Sequence, residues 1–235
     1  MYRFTRQEAL VGEAAMRKLQ NAEVAVFGLG GVGSWAAEAL ARGGIGGITL
    51  VDFDDISVTN INRQLFALDS TVGQKKAVVA ANRLLDINPA IRVNPITERY
   101  TADAREAFLS LKYDYIIDAI DIVTSKLDLI QSALEREIPI VSCLGTGNRL
   151  DASGFRIDDI SKTVNDPLAR VMRKELRRRG ILHVDVLWSA DDSLSPADTG
   201  EAPPEGRRSI PGSVSWVPPV AGMMLAGYVI RSLMK

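Results

Sequence analysis

One stretch constrains the fold of this chain more than any other: the glycine-rich turn Gly28-Leu29-Gly30-Gly31-Val32-Gly33-Ser34. It follows the short apolar run Val24-Ala25-Val26-Phe27 and opens the alanine-rich segment 35–42. A strand, a glycine turn and a helix in that order let the backbone fold back sharply and approach a ligand closely. The helix N-terminus then presents unpaired N–H groups and positive dipole to an anion. A second apolar run, Ile48-Thr49-Leu50-Val51, ends at Asp52, about 20 residues after the turn, where a carboxylate can accept hydrogen bonds from ribose hydroxyls. These features describe a nucleotide site without choosing the nucleotide, and the turn taken alone suits a dinucleotide equally well.

The rest of the chain continues the alternation. Residues 7–20 read as an amphipathic helix, 74–85, 104–111 and 126–136 as helical stretches, and 92–96, 115–120 and 140–144 as strands. That rhythm predicts an α/β fold of Rossmann-like, doubly wound type, its mostly parallel sheet covered on both faces. After Gly145 the rhythm changes, and 155–157, 183–188 and 213–217 are expected to form an antiparallel extension. We read residues 1–235 as a single domain, with 1–144 as its nucleotide-binding core and 145–235 as a substrate-facing extension and C-terminal helix. A hydrophobic content of 46% is ample for such a core. The N-terminus has no apolar signal core, and the apolar stretch 217–230, interrupted by Pro218, Pro219, Gly222 and Gly227, is too short for a convincing span. A cytoplasmic protein without stable membrane insertion is therefore expected.

Charge after the second strand narrows the chemistry. Arg63 lies in Asn60-Ile61-Asn62-Arg63-Gln64, and Gly73-Gln74-Lys75-Lys76 brings lysines to the start of the next helix. In Tyr115-Ile116-Ile117-Asp118-Ala119-Ile120-Asp121 the carboxylates sit at the C-terminal end, where strands of an open sheet face the ligand crevice, so Asp52, Asp118 and Asp121 can all approach it. Two cations and a carboxylate able to hold Mg2+ suit in-line displacement at a phosphate. Ser34 follows Gly33 with no intervening lysine, so the turn is not a P-loop.

The glycine turn, Asp52-Phe53-Asp54, Asn60-x-Asn62-Arg63-Gln64, Val72-Gly73-Gln74-x-Lys76, Ile87-Asn88-Pro89 and Asp118-Ala119-Ile120-Asp121 together resemble the adenylating superfamily of ubiquitin-activating and sulfur-carrier-activating (ThiF-type) enzymes. Within it the chain is similar to the branch that dehydrates threonylcarbamoyladenosine in tRNA, through Gly145-Thr146-Gly147-Asn148, residues 163–180 and Pro211-Gly212-Ser213-Val214-Ser215. The resemblance implies that Gly28, Gly30, Gly31 and Gly33 line the ATP phosphates and that Asp52 holds the ribose. It implies that Asn60, Arg63 and Gln64 sit over the triphosphate, that Arg63 and Lys76 stabilise the transition state, and that Asp121 rather than Asp118 holds Mg2+ through ATP. ATP would activate the threonine carboxylate of a modified adenosine beside the anticodon, and intramolecular ring closure would follow. Relatives are commonly homodimers, in some of which an arginine matching Arg6 reaches the partner's phosphates. A cysteine-desulfurase or other sulfur-acceptor partner also belongs to this picture.

Two alternatives stand beside that reading: adenylation of a ubiquitin-like sulfur carrier, and an NAD-binding oxidoreductase or sensor. One cysteine, Cys143, and one histidine, His183, leave no paired C-x-x-C zinc site and no intrachain disulfide. Both residues are read as structural members of their strands. A net charge of −1 means that any RNA binding must be local. The local candidate is the helix after Pro167, where Arg170, Arg173, Lys174 and Arg177 recur at three- and four-residue intervals and share one face. That face either contacts an RNA backbone or is simply solvated. The following loop, 189–211, is either a lid or a plain connection.

Overall fold

The computed structural model describes residues 2–197 and 211–235. Seven strands form one sheet: β1 (Glu23–Phe27), β2 (Gly47–Val51), β3 (Arg92–Ile96), β4 (Tyr115–Asp118), β5 (Ile140–Cys143), β6 (Phe155–Asp159) and β7 (Asp185–Ser189). Their order is β3-β2-β1-β4-β5-β7-β6. Every pairing is parallel except that of β6 with β7. The chain thus winds outward from β1 to β3, returns to β4 beside β1, and winds outward the other way. The crevice outside the C-terminal ends of β1 and β4 is the topological switch point, where open α/β sheets bind ligands.

The central strands are buried along almost their whole length, as the apolar runs require when helices cover both faces. β3 is exposed at the sheet edge, the place where Pro95 can withhold a ladder donor without leaving a gap. Among the described residues there are eight α-helices: α1 (Thr5–Val11), α2 (Glu13–Asn21), α3 (Gly33–Arg42), α4 (Lys76–Ile87), α5 (Arg105–Leu109), α6 (Val123–Glu135), α7 (Pro167–Arg178) and α8 (Val217–Met234). One core joins α2, α3, α4 and α8 to one face of the sheet; a second joins α5, α6 and α7 to the other. α8 lies so close on α3 that a Cβ on Gly222 would stand 2.3 Å from Val32 O.

Several expectations are corrected. The helix expected at 7–20 is two helices, broken at Gly12, whose φ of +85° turns the chain out of the helical path. Residues 213–217 form no strand: 211–216 is irregular and Val217 already belongs to α8. The antiparallel extension is reduced to β6, because β7 adds parallel to β5. α8, with 18 residues, is longer than the apolar stretch read from the sequence and is long and apolar enough to cross a membrane. Its face of Val217, Ala221, Leu225, Ala226 and Val229 is nonetheless buried against the protein's own core. Most of the loop expected at 189–211 lies outside the described residues.

Candidate active site

The four turn glycines meet different demands. Gly28 donates its N–H to Val51 O (2.8 Å) with φ +88°, and a Cβ there would meet Ala119 O at 2.6 Å. A Cβ on Gly33 would stand 1.8 Å from Gly28 O, so this position closes the turn onto α3. Gly31 lies against the Arg63 side chain and Pro218. Gly30 has only Gln64 Nε2, at 3.9 Å, near its Cβ position and so leaves its backbone open to the crevice. Ser34 Oγ donates to Gly30 O (2.7 Å) and accepts from Leu65 N (3.2 Å), linking the turn to the 57–65 loop.

Asp52 follows β2 directly and is buried. Its two carboxylate oxygens accept from Leu29 N (2.6 Å) and Asp54 N (2.9 Å), which fixes the acid beside the turn. Burial pushes its pKa upward, against the opposing pull of Lys76 and the two N–H donors. Lys76 opens α4 and is itself buried. Its backbone N–H bonds Asp54 O and its Nζ reaches Asp54 Oδ2 at 2.8 Å. Lys75 points outward to the exposed Asp55 (2.9 Å). The structure therefore separates the adjacent lysines: Lys76 faces Asp52, and Lys75 does not.

The 57–64 loop is shaped by Asn60, whose Oδ1 accepts from Ser57 N (3.1 Å) and whose carbonyl accepts from Arg63 N and Gln64 N. Arg63 Nη1 donates to Thr59 O and Asn62 Oδ1, both at 2.9 Å, while Trp35 Nε1 on α3 holds Arg63 O (3.1 Å). Gln64 is buried beside Gly30. Gly28, Gly30, Gly31, Gly33, Asp52, Asn60, Arg63, Gln64 and Lys76 thus gather around the C-terminal ends of β1 and β2.

At the end of β4 the two aspartates part company. The sequence directs Asp118 toward the crevice, and the structure corrects this. Asp118 is fully buried, its Oδ2 held by Lys126 Nζ (2.7 Å) and Ser142 Oγ (2.6 Å). Lys126 also donates to Ser142 Oγ (3.1 Å) and Cys143 O (2.9 Å), which satisfies its three N–H donors. Asp121 lies three residues on, exposed in the loop that enters α6. Ala119, whose carbonyl packs on Gly28, separates the buried acid from the exposed one. An exposed carboxylate at that rim fits a cation held mainly by phosphates. Sequence reasoning missed Lys126 and Ser142. The signal was present: Lys126 falls on the same stripe as Ile130 and Ala133, an apolar face on which a lysine demands a carboxylate.

Cys143 is buried, its Sγ donating to Leu144 O, and burial pushes its thiol up to about 12. Arg6 is exposed on α1. The adjacent Gln7 bonds Gly43 O at the far end of α3, a ten-residue helix of about 15 Å, so within one chain Arg6 does not join the site. His183 pairs with Asp159 at 3.1 Å where β6 ends and β7 begins, at the end of the sheet opposite the crevice.

α7 buries Ala169, Met172 and Leu176, and Arg170, Arg173, Lys174 and Arg177 line one shallow exposed concavity with Arg178. Arg173 is tied to Thr163 through the carbonyl and hydroxyl of that residue. The helix starts at Asp166, which accepts from Ala169 N (2.9 Å) next to Arg149, itself bound to Gly145 O beyond β5. The basic face therefore runs from the crevice edge down the flank of the molecule. Above the crevice, Asn148 (φ +61°) exchanges hydrogen bonds with Gly212 in both directions and accepts from Leu194 N. The motifs at 145–148 and 211–215, far apart in sequence, form one rim.

The ThiF family matches residues 4–235. The chain is similar to the tRNA threonylcarbamoyladenosine dehydratase of Bacillus subtilis (strain 168), at 42% identity over all of this chain and 96% of that protein. It is 38% identical to the enzyme of the same name from Escherichia coli (strain K12), over 99% of this chain and 93% of that one. The crystal structure of the Escherichia coli tRNA N6-threonylcarbamoyladenosine dehydratase in complex with ATP superposes with a TM-score of 0.89, covering 99% of this chain and 93% of that chain. Its complex with AMP gives the same score.

Proposed function

Because the chain belongs to the ThiF family, we propose that it uses ATP to adenylate the threonine carboxylate of threonylcarbamoyladenosine in tRNA and closes that group to a cyclic product with net loss of water. The observation that carries this is the crevice itself: an open glycine backbone, a buried ribose acid and a buried lysine facing it, in a chain similar end to end to dehydratases of that name. Gly28, Gly30, Gly31 and Gly33 cradle the phosphates, with the N-terminus of α3 behind them. Asp52 accepts from the ribose hydroxyls. Lys76 is held by the half-exposed Asp54 and exchanges that partner for a phosphate oxygen. Arg63 and Gln64 cover the triphosphate, and Asn60 keeps their loop in shape.

The substrate carboxylate attacks the α-phosphorus, a C–O–P bond forms, and pyrophosphate leaves. Arg63 and Lys76 offset the charge that builds on the phosphate oxygens during this displacement. The carbamoyl oxygen then attacks the activated carbonyl, AMP departs, and a proton is lost to solvent. Mg2+, bound to the nucleotide phosphates with Asp121 as its protein ligand, would supply further charge neutralisation. Residues 1–144 hold the nucleotide and 145–235 face the RNA, with Arg170, Arg173, Lys174 and Arg177 as a phosphate-binding stripe. The chain acts as a cytoplasmic homodimer in which Arg6 serves the partner's site, and a sulfur-acceptor protein is a further partner. The positive charge of Lys76 and Arg63 favours a triphosphate over NAD. Incubation with ATP–Mg2+ and tRNA bearing the modification should release AMP and pyrophosphate, and only when that RNA is present. Release of ADP and phosphate would overturn the adenylation chemistry.

A further inference from the structure

The chain has three tryptophans, and only Trp216 holds its ring half in solvent, 52% exposed. It precedes α8 and contributes no side-chain cap to that helix. Its polar edge is fixed, since Nε1 donates to Leu150 O at 2.7 Å. Two further contacts fix the segment against the nucleotide site. Asn62 Nδ2, next to Arg63, donates to Ser213 O at 3.0 Å, and Pro218 Cβ stands 3.0 Å from the Cβ position of Gly31. A large aromatic surface is thus oriented in solvent at the rim between the Arg63 loop and the 145–150 loop.

Resting on the reading of the crevice as an RNA-adenylating site, we infer that Trp216 is a stacking platform for an unpaired base of the anticodon loop at the reacting nucleoside. Single-stranded RNA loops are bound by aromatic planes because every base offers a π-face, and such stacking typically supports roughly a tenfold or greater gain in affinity per base. The tether at Nε1 leaves the ring no freedom to lose on binding, which favours the ordered contact. Leu150, also exposed beside it, extends the apolar ledge.

The test uses the full chain with an anticodon stem-loop carrying the threonylcarbamoyl group. Emission from Trp216, the solvent-exposed fluorophore, should be quenched on adding the RNA. Trp216→Ala should raise the KM for RNA roughly tenfold or more, in line with the loss of one stacked base. Calorimetric ATP binding should remain that of the parent, and the thermal midpoint should fall by no more than a few degrees for the lost Nε1 hydrogen bond, which shows that the chain still folds. Trp216→Phe keeps a π-face but loses the Nε1 tether, so its KM should lie between those of the parent and the alanine variant, and Trp216→Leu should resemble the alanine variant. An unchanged KM in Trp216→Ala, or equal behaviour of Leu and Phe, would overturn the inference while leaving the adenylation reading intact. Emission that follows protein concentration rather than RNA would assign the ring to an interface between copies and also overturn it. If the parent releases no pyrophosphate with this RNA, the functional reading itself fails, and the platform with it.

Discussion

The ends of β2 and β4 each carry a lysine–aspartate pair, and the two pairs are nearly equal in length. Lys76 and Asp54 lie 2.8 Å apart, Lys126 and Asp118 2.7 Å. Their surroundings differ. Lys126 and Asp118 are 1% and 0% exposed and share Ser142, and Lys126 also donates to the Cys143 carbonyl, so the lysine donors are all engaged. Lys76 is 7% exposed, but Asp54 is 49% exposed and holds it through one carboxylate oxygen. The first pair is a brace that joins α6 to two strands. The second is a lysine at the mouth of the glycine turn, bound to a half-exposed partner that it can leave. Equal distance therefore says little about role; burial of the acid and the number of partners decide it.

The sharpest contrast comes from removing each lysine. Lys126→Met leaves the Asp118 carboxylate buried without its cation, which costs about 3–5 kcal/mol of stability. A thermal melt should fall by roughly 10 °C for a chain of this size. Removing both charges, as in Lys126→Met with Asp118→Leu, should cost less than removing one, because no uncompensated ion remains. A single variant as stable as the parent would break the distinction between brace and switch.

Lys76→Ala and Arg63→Ala should instead depress turnover by about 100-fold or more, as expected when a preorganised group facing transition-state charge is removed. Their thermal midpoints should move far less than that of Lys126→Met. Lys76 also opposes the upward push that burial exerts on Asp52. Without it the Asp52 carboxyl protonates at higher pH, so the acid limb of ATP binding should shift upward in Lys76→Ala, measured by calorimetry across pH. An acid limb that stays in place would mean that Lys76 does not act on Asp52.

Much of this was legible in the sequence because backbone chemistry leaves strong marks. Gly28 and Gly33 stand where any side chain would collide with a carbonyl, and the apolar runs before and after them had to be buried strands. The preference for Lys76 over Lys75 and for Asp121 over Asp118 came from the family motifs alone; in the structure Lys76 and Asp118 are buried, and Lys75 and Asp121 are exposed. What escaped notice was pairing at a distance. The apolar stripe around Lys126 calls for a carboxylate, but nothing local to it says that Asp118 and Ser142 are the partners that converge on it from two strands. The break at Gly12 and the irregular path of 211–216 were missed for the opposite reason: their apolar periodicity is real, but a positive φ at one and hydrogen bonds to Asn148 and Asn62 at the other override it.

The basic face of α7 extends the comparison from a paired to a clustered charge. Arg170, Lys174 and Arg177 are exposed on one flank, and phosphates bound there would release condensed counterions. Arg173→Glu with Arg177→Glu should weaken tRNA binding and reduce the steepness of its salt dependence, by about one unit of slope for each phosphate no longer engaged. ATP affinity should be unaffected, since the crevice is untouched. Arg173 is anchored to Thr163, so a modest loss of stability accompanies its change, whereas Arg177 alone should cost little. tRNA binding that ignores both substitutions would return this flank to ordinary solvated charge.

The smallest effect is expected at Cys143, which sits against the Lys126 brace and not in the crevice. Burial pushes its thiol up to about 12, with the Lys126 charge pulling the other way, so the native thiol stays protonated where an ordinary cysteine, near 8.5, ionises. In the unfolded chain ionisation begins at that ordinary value. The stabilisation linked to this proton is therefore complete below about 8.5 and is lost as pH rises toward the native value. Lys126 bonds the Cys143 carbonyl rather than its sulfur, so Cys143→Ser preserves the brace. The serine hydroxyl can donate to Leu144 O as the thiol does, which limits the cost to about 1 kcal/mol. Turnover should stay within roughly twofold of the parent, and brief treatment of the folded enzyme with iodoacetamide should leave it active, because a buried neutral thiol is inert. A collapse of turnover in Cys143→Ser with an unchanged melting curve would place a nucleophile at the end of β5, and the brace would have to be counted as part of the active site.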